Sequence, residues 1–118
     1  MEIIDKSITT KQLTAMAQKM FGDLVKAVVD VRREVMAVDG ELHADEEALL
    51  LENGSKQEDL WGINLYPALN GSEDFIEFGS MINLRPSQGN RSRSVTNPSV
   101  REKIRQIVNN LIKNDLPT

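Results

Sequence analysis

The chain has 118 residues, of which 40% are hydrophobic and 27% are charged, and its formal net charge is −4 at pH 7. These values predict one globular domain, residues 1–118, with a core of about 10–113 and loose termini, and they exclude a disordered chain. The absence of cysteine excludes disulfides, thiolate nucleophiles and cysteine-ligated metals. The sequence shows neither a signal-peptide pattern nor an apolar segment that could span a bilayer, so the expected location is the cytoplasm.

Three helices are predicted from apolar residues that recur every three or four positions. The first covers about 11–21 and ends at Gly22, which can adopt the left-handed conformation of a helix C-terminus. The second begins near Asp45, whose carboxylate can cap it, and ends at Gly54. The third covers 97–113 and is expected to bury an apolar stripe formed by Val100, Ile104, Ile107, Val108 and Leu111.

Short β-branched or apolar segments predict strands. These segments are 24–31, 35–38, 61–66, 75–78 and 81–85. Residues 1–9 are expected to form only an extended lead-in. The order of elements predicts an α+β fold, in which an antiparallel sheet of about four to five strands is packed by about three helices on one of its faces.

Residues 85–94 form the main candidate site. This segment carries guanidinium, hydroxyl and amide groups on Arg85, Ser87, Gln88, Asn90, Arg91, Ser92 and Arg93, and it leads into the third helix. Guanidinium forks and backbone N–H groups near a helix start are suited to holding an anion. The segment therefore predicts an anion-binding loop. The alternative is an ordinary surface turn, in which Arg85 pairs with an acidic neighbour such as Glu77.

His43 is the only histidine of the chain, and carboxylates follow it closely at Asp45, Glu46 and Glu47. An imidazole beside carboxylates can supply general acid and base groups, which makes His43, Asp45 and Glu46 catalytic candidates. However, this spacing matches no metal motif of defined geometry, and the helix dipole favours acidic residues near a helix start without any function. We predict no metal site and no cofactor.

Charge is distributed unevenly along the chain. Residues 39–59 hold eight carboxylates and one lysine, whereas residues 85–105 hold six cationic side chains and one carboxylate. These segments either pair with each other or face different partners. An anionic small molecule or an acidic protein is the expected partner. The acidic net charge disfavours nucleic acid, and no membrane partner is expected.

Three consecutive leucines, Leu49 to Leu51, lie in the second predicted helix. They cannot all face the same side of a helix. One large apolar side chain is thus left without a place on a helix that is buried on one side, which predicts a homodimer.

Three longer motifs are distinctive when taken together: GELHADEEALLLENGS (40–55), QEDLWGINLYP (57–67) and SMINLRPSQGNRS (80–92). On these motifs the chain resembles a family of small bacterial and archaeal proteins catalogued only as a domain of unknown function. The resemblance covers about 22–112. It implies a prokaryotic, stand-alone domain and brings no activity, cofactor or catalytic residue.

Two hypotheses from different functional classes remain. The preferred one is a non-catalytic binding module, whose loop at 85–94 holds an anionic group of a ligand or partner. The alternative is a small hydrolase or nuclease-like enzyme, in which His43 and nearby carboxylates act on a phosphate held by the arginines. The enzyme requires His43 and Asp45 within about 6 Å of the head group of Arg91 or Arg93, the range at which charged groups couple strongly.

Overall fold

The computed structural model describes residues 1–114. Its three helices are α1 (Thr10–Met20), α2 (His43–Glu52) and α3 (Pro98–Leu111). Its main strands are β1 (Glu2–Ile4), β3 (Val25–Asp30), β4 (Val35–Val38), β5 (Leu60–Leu65) and β6 (Ile76–Glu77), which form one antiparallel sheet in the order β1-β4-β3-β5-β6. The short strands β2 (Ile8–Thr9) and β7 (Ile112–Lys113) pair in parallel beside it. The α+β class and its antiparallel sheet are confirmed.

The helices cover both faces of the sheet. Val25, Ala27 and Val29 of β3 belong to the core that contains α1 and α3, whereas Val28 belongs to a second, smaller core with Leu50 of α2. Alternate residues of a strand point to opposite faces, so one strand serves both cores. The expectation of helices on one face only is therefore wrong. No helix within residues 1–114 has the length and apolar content needed to cross a membrane.

The second core also accounts for most of the leucine run. Leu50 is fully buried and Leu49 is half-buried against that core, while Leu51 is 41% exposed. A homodimer through the Leu49–Leu51 face stays a prediction. Helix α2 begins earlier than expected, at His43 after the extended Leu42, so Asp45 lies in the first turn and does not cap the helix.

The first residues are part of the sheet rather than a lead-in. β1 pairs with β4, with Ile3 opposite Ala37. A three-residue edge strand is too short to show a clear sequence pattern, and Ile3 and Ile4 of β1 pack into different cores. The predicted loose end of the chain at 115–118 lies outside the described residues.

The predicted strand at 81–85 is instead a 3₁₀ turn, Met81–Asn83. β5 pairs with β6 only through Asn64 and Leu65. At Gly62 of β5, the side chain of Asn83 makes the backbone hydrogen bonds that a neighbouring strand would otherwise make. Its Oδ1 accepts from the Gly62 N–H at 2.8 Å, and its Nδ2 donates to the Gly62 carbonyl at 2.9 Å. A Cβ at Gly62 would lie 2.5 Å from the Ser80 Cβ, so the close approach requires glycine.

Candidate functional site

Arg85 lies inside the 85–94 loop and not on its surface. The residue is 9% exposed, and its guanidinium donates to the backbone carbonyls of Ile82 (3.0 Å), Gln57 (2.6 Å) and Leu60. The Gln88 side-chain oxygen accepts a further bond at 3.2 Å. Since a guanidinium has five N–H groups, most of its donors are used within the protein. Arg85 therefore has little capacity left for an external anion.

The surroundings of Arg85 also differ from the surface turn considered as the alternative. The guanidinium stacks on Trp61, 4.3 Å from the ring centroid. Burial lowers the pKa of Arg85, and the carboxylate of Glu47 partly offsets this effect. Glu77, the acidic neighbour expected to pair with Arg85, instead accepts from the Asn64 amide at 2.8 Å. Arg85 thus links the loop to β5 and to the turn before it.

Asn90 is the second organising residue of the loop. Its buried amide nitrogen lies within hydrogen-bond distance of the carbonyls of Asn83 (2.6 Å), Ser92 (2.9 Å) and Ser94 (2.9 Å). Its Oδ1 accepts from the backbone N–H of Thr96 at 3.0 Å and from its hydroxyl at 2.7 Å. Fully satisfied polar networks of this kind rigidify the backbone around them. The loop is irregular in shape but fixed by its own side chains.

The remaining predicted residues point outward or make local bonds. Arg91, Arg93 and Ser87 are exposed. Within residues 1–114, the side chains of Arg91 and Arg93 make no hydrogen bond or ion pair. The Ser92 hydroxyl accepts from the Ser94 N–H at 3.0 Å, which is a local turn contact. The structure therefore separates the three loop arginines into one interior and two exterior side chains.

Two arginines of α3 adjoin this loop. Arg101 and Arg105 both stack on Phe78, at 4.7 and 5.1 Å from the ring centroid. Arg101 also donates from Nε to the Val95 carbonyl at 2.6 Å and from Nη2 to the Ser94 hydroxyl at 2.8 Å. The sequence analysis counted both only among the cationic side chains of residues 85–105 and named neither as a site residue. Their spacing of four residues, which places them on one helix face, was the available signal.

Arg101 and Arg105 line two adjoining grooves. A groove of about 840 Å³ separates α3 from residues 70–78, and a groove of about 420 Å³ lies on the side of Ser94 and Thr96. The larger groove also contains carboxylates at Glu73, Asp74 and Glu102. Glu102 lies on α3 between the two arginines, so the α3 wall carries two cations and one carboxylate, whereas the opposite wall carries Glu73 and Asp74.

His43 is held against the sheet at the start of α2. Its Nε2 lies 2.8 Å from the Ile63 carbonyl, which requires an N–H at that nitrogen. Burial lowers the pKa of His43, the hydrogen bond to the Ile63 carbonyl partly offsets this effect, and the nearby Lys26 lowers the pKa further. Lys26 is the charged group that contributes to this shift. This arrangement gives the hydrolase hypothesis no support.

Glu46 is fully buried, whereas Asp45 is exposed. The Glu46 Oε2 accepts from the Gly40 N–H at 2.9 Å, but its Oε1 and the Oδ1 of Asp39 are buried without a hydrogen-bond partner. Burial raises the pKa of Glu46 to about 9, with a smaller contribution in the same direction from Asp39. A neutral Glu46 retains a proton that it can donate. The catalytic candidates thus differ strongly in their surroundings and do not form one exposed cluster.

The described part of the chain holds no group of three or more histidine and acidic side chains that could bind a metal. The geometry instead offers arginine donors on a fixed loop and in adjoining grooves. Neither the curated proteins nor the solved structures contain a match to this chain. A family model does match, over residues 2–111, and on that match the chain belongs to the family described as protein of unknown function (DUF5674).

Proposed function

We propose that this protein is a non-catalytic binding module, which holds an anionic group of a ligand or partner on Arg91 and Arg93. The observation that carries the proposal is that the buried and the exposed side chains of the 85–94 loop have different roles. Arg85 and Asn90 are buried and fix the backbone, while Arg91 and Arg93 have exposed side chains without a partner in residues 1–114.

A fixed backbone favours recognition of a ligand. Ordering a flexible loop on binding costs affinity, and a loop that is already ordered avoids that cost. Buried side chains hold this loop in place. Just before the loop, the Asn83 amide donates to the carbonyls of Gly62 and Arg93, and its oxygen accepts from the Gly62 N–H. The backbone positions of Arg91 and Arg93 are therefore set before a ligand arrives.

The arginines of α3 extend the cationic surface. The Ser94 hydroxyl joins the loop to Arg101 at 2.8 Å, directly after Arg93 in the chain. Guanidinium groups bind carboxylates and phosphates through paired N–H donors, a geometry that lysine does not offer. The ligand class that fits is a carboxylate or phosphate group on a small molecule or on an acidic protein.

The proposal is tested by anion-dependent stability. Sulfate should stabilise the wild type more than chloride at matched ionic strength, because chloride cannot accept paired hydrogen bonds from a guanidinium. Ligand binding stabilises the folded state by about 2.7 kcal/mol at a hundredfold excess over the dissociation constant. The Arg91→Ala/Arg93→Ala variant should lose the difference between the two salts.

A matched control is needed because sulfate also stabilises proteins by exclusion from their surfaces. Arg32 and Lys56 are exposed and lie outside the loop. Their double alanine variant removes the same charge and should keep the full response to sulfate. Equal gains from sulfate in all three proteins would show that the loop does not bind the anion.

A further inference from the structure

The edge of the sheet at β6 is open beside the larger groove, which Arg101 and Arg105 line together with three carboxylates. Tyr66 N–H donates to the Phe75 carbonyl at 2.9 Å, and Leu65 lies opposite Ile76. In an antiparallel pair the backbone groups of successive residues alternate in direction. The N–H and C=O of Ile76 therefore point away from β5, and no described residue is hydrogen-bonded to them.

Two residues after β6, the same edge of the sheet is paired with another segment of the chain. Gly79 forms an antiparallel bridge with Ser94, and the Ser80 N–H donates to the Arg93 carbonyl at 3.0 Å. The end of the 85–94 loop thus occupies the position of an additional strand next to Gly79 and Ser80. That position is vacant beside Ile76, where the larger groove begins.

The side chains around the vacant position fit one side of an extended peptide. Ile76 and Phe78 face the core that contains α3, so a strand added at this edge would direct alternate side chains toward Arg101 and Arg105. Arg105 is largely available, since its only ion pair is a 3.6 Å contact with Glu102 at the surface of the described structure. Acidic side chains at alternate positions would meet these guanidinium groups.

We infer that the groove between β6 and α3 binds an extended acidic peptide, which adds to the sheet by pairing with the backbone of Ile76. Strand addition at an exposed edge obtains affinity from main-chain hydrogen bonds and specificity from alternate side chains. The inference rests on the proposed anion recognition and names its partner class. A nucleic-acid strand fits less well, because Glu73, Asp74 and Glu102 would repel a polyanion that is charged along its whole length, whereas the peptide carries its acids only on the side that faces Arg101 and Arg105.

The probe is a blocked peptide of about six residues, the usual length of a strand, in which glutamate alternates with threonine. Two matched peptides separate the contribution of the acidic side chains from that of the backbone hydrogen bonds. One carries glutamine in place of glutamate, and the other keeps every glutamate but is N-methylated at alternate backbone positions. Each change should weaken binding at least tenfold, measured by fluorescence anisotropy. Amide exchange at Ile76 should slow at least tenfold in the complex with the unmodified peptide.

Protein variants locate the site. Arg105→Gln should weaken binding of the acidic peptide at least tenfold, whereas Arg32→Gln, an exposed arginine of the β3–β4 turn, should leave it unchanged. The glutamine peptide and the N-methylated peptide should each lose less affinity on Arg105→Gln than the unmodified peptide loses.

The outcomes distinguish this inference from the proposed function. If the N-methylated peptide binds as well as its parent and Ile76 exchange is unaffected, strand addition is overturned while anion recognition stands. If a single-stranded oligonucleotide binds more tightly than the peptide, the peptide assignment is likewise overturned. If neither the peptide nor sulfate depends on any of the arginines, both proposals fail.

Discussion

Two buried ionisable side chains, Arg85 and Glu46, are accommodated in opposite ways. Arg85 is surrounded by acceptors, with three backbone carbonyls and the Gln88 oxygen within bonding distance. Glu46 has one donor, the Gly40 N–H, and a second carboxyl oxygen without a partner. A buried charge needs complete hydrogen bonding, whereas a buried acid can avoid the charge by keeping its proton.

This difference shows what each side chain does for the fold. Arg85 retains its charge and connects the loop to β5, so it supports the surface on which Arg91 and Arg93 lie. Glu46 connects α2 to the turn after β4 in its neutral form. Loss of Arg85 should therefore affect stability at every pH, while the contribution of Glu46 should depend on pH.

The largest effect is expected from Arg85→Ala. The substitution leaves the Leu60 carbonyl and its neighbours without donors and removes the stacking on Trp61. Breaking such a buried charged network should lower the free energy of unfolding by about 3–5 kcal/mol. Arg85→Lys should recover little of it, because a single ammonium cannot reach acceptors arranged around a planar fork. Urea denaturation measures both changes, and a loss below about 0.5 kcal/mol for Arg85→Ala would show that the network is dispensable.

A second effect concerns the pH dependence of stability. The pKa of Glu46 is about 9 in the folded protein, above its ordinary value of 4.5. The folded state thus holds a proton that the unfolded state releases, so this contribution is complete below about pH 4.5 and is lost as the pH rises toward 9. The slope is at most about 1.4 kcal/mol per pH unit.

The variant Glu46→Gln isolates that contribution. Between pH 7 and 9, the wild type should lose stability and Glu46→Gln should lose much less, because glutamine does not titrate. His43 does not interfere in this range, since its pKa is lowered and it is already neutral. Asp45→Asn changes an exposed neighbour and should keep the wild-type slope. Equal slopes in the wild type and Glu46→Gln would refute a protonated Glu46.

The smallest effect on stability is expected for Arg91→Ala/Arg93→Ala. Both side chains are exposed and have no partner within residues 1–114, and such surface substitutions change stability by about 0.5 kcal/mol or less. In chloride, the melting curve of this variant should therefore coincide closely with that of the wild type. A large loss would mean that the exterior arginines also hold the fold together.

Regular elements were largely predictable because their signals are local. The apolar spacing that predicted α3 is confirmed by the burial of Ile104, Ile107, Val108 and Leu111. Gly22 and Gly54 both adopt the left-handed conformation expected after α1 and α2. These features depend on neighbouring residues only, so a sequence contains most of the information needed.

The interior of the loop could not be predicted in the same way. Arg85 and Arg91 look alike in a polar segment, and which one is buried depends on carbonyls of Gln57 and Leu60 that are distant in sequence. The apparent strand at 81–85 failed for a related reason, because the Asn83 amide supplies the pairing that a strand would supply. Polar side chains that replace backbone partners leave no periodic pattern.

The most direct test of the interior and exterior roles is NMR of the arginine side chains during titration with inorganic phosphate. The Nε–H signals of Arg91 and Arg93 should shift in a saturable manner, with Arg101 and Arg105 as neighbouring reporters. The Nε–H signal of Arg85 should stay in place and exchange slowly, because it donates to the Ile82 carbonyl. A saturable shift of Arg85, with Arg91 and Arg93 unaffected, would contradict the account.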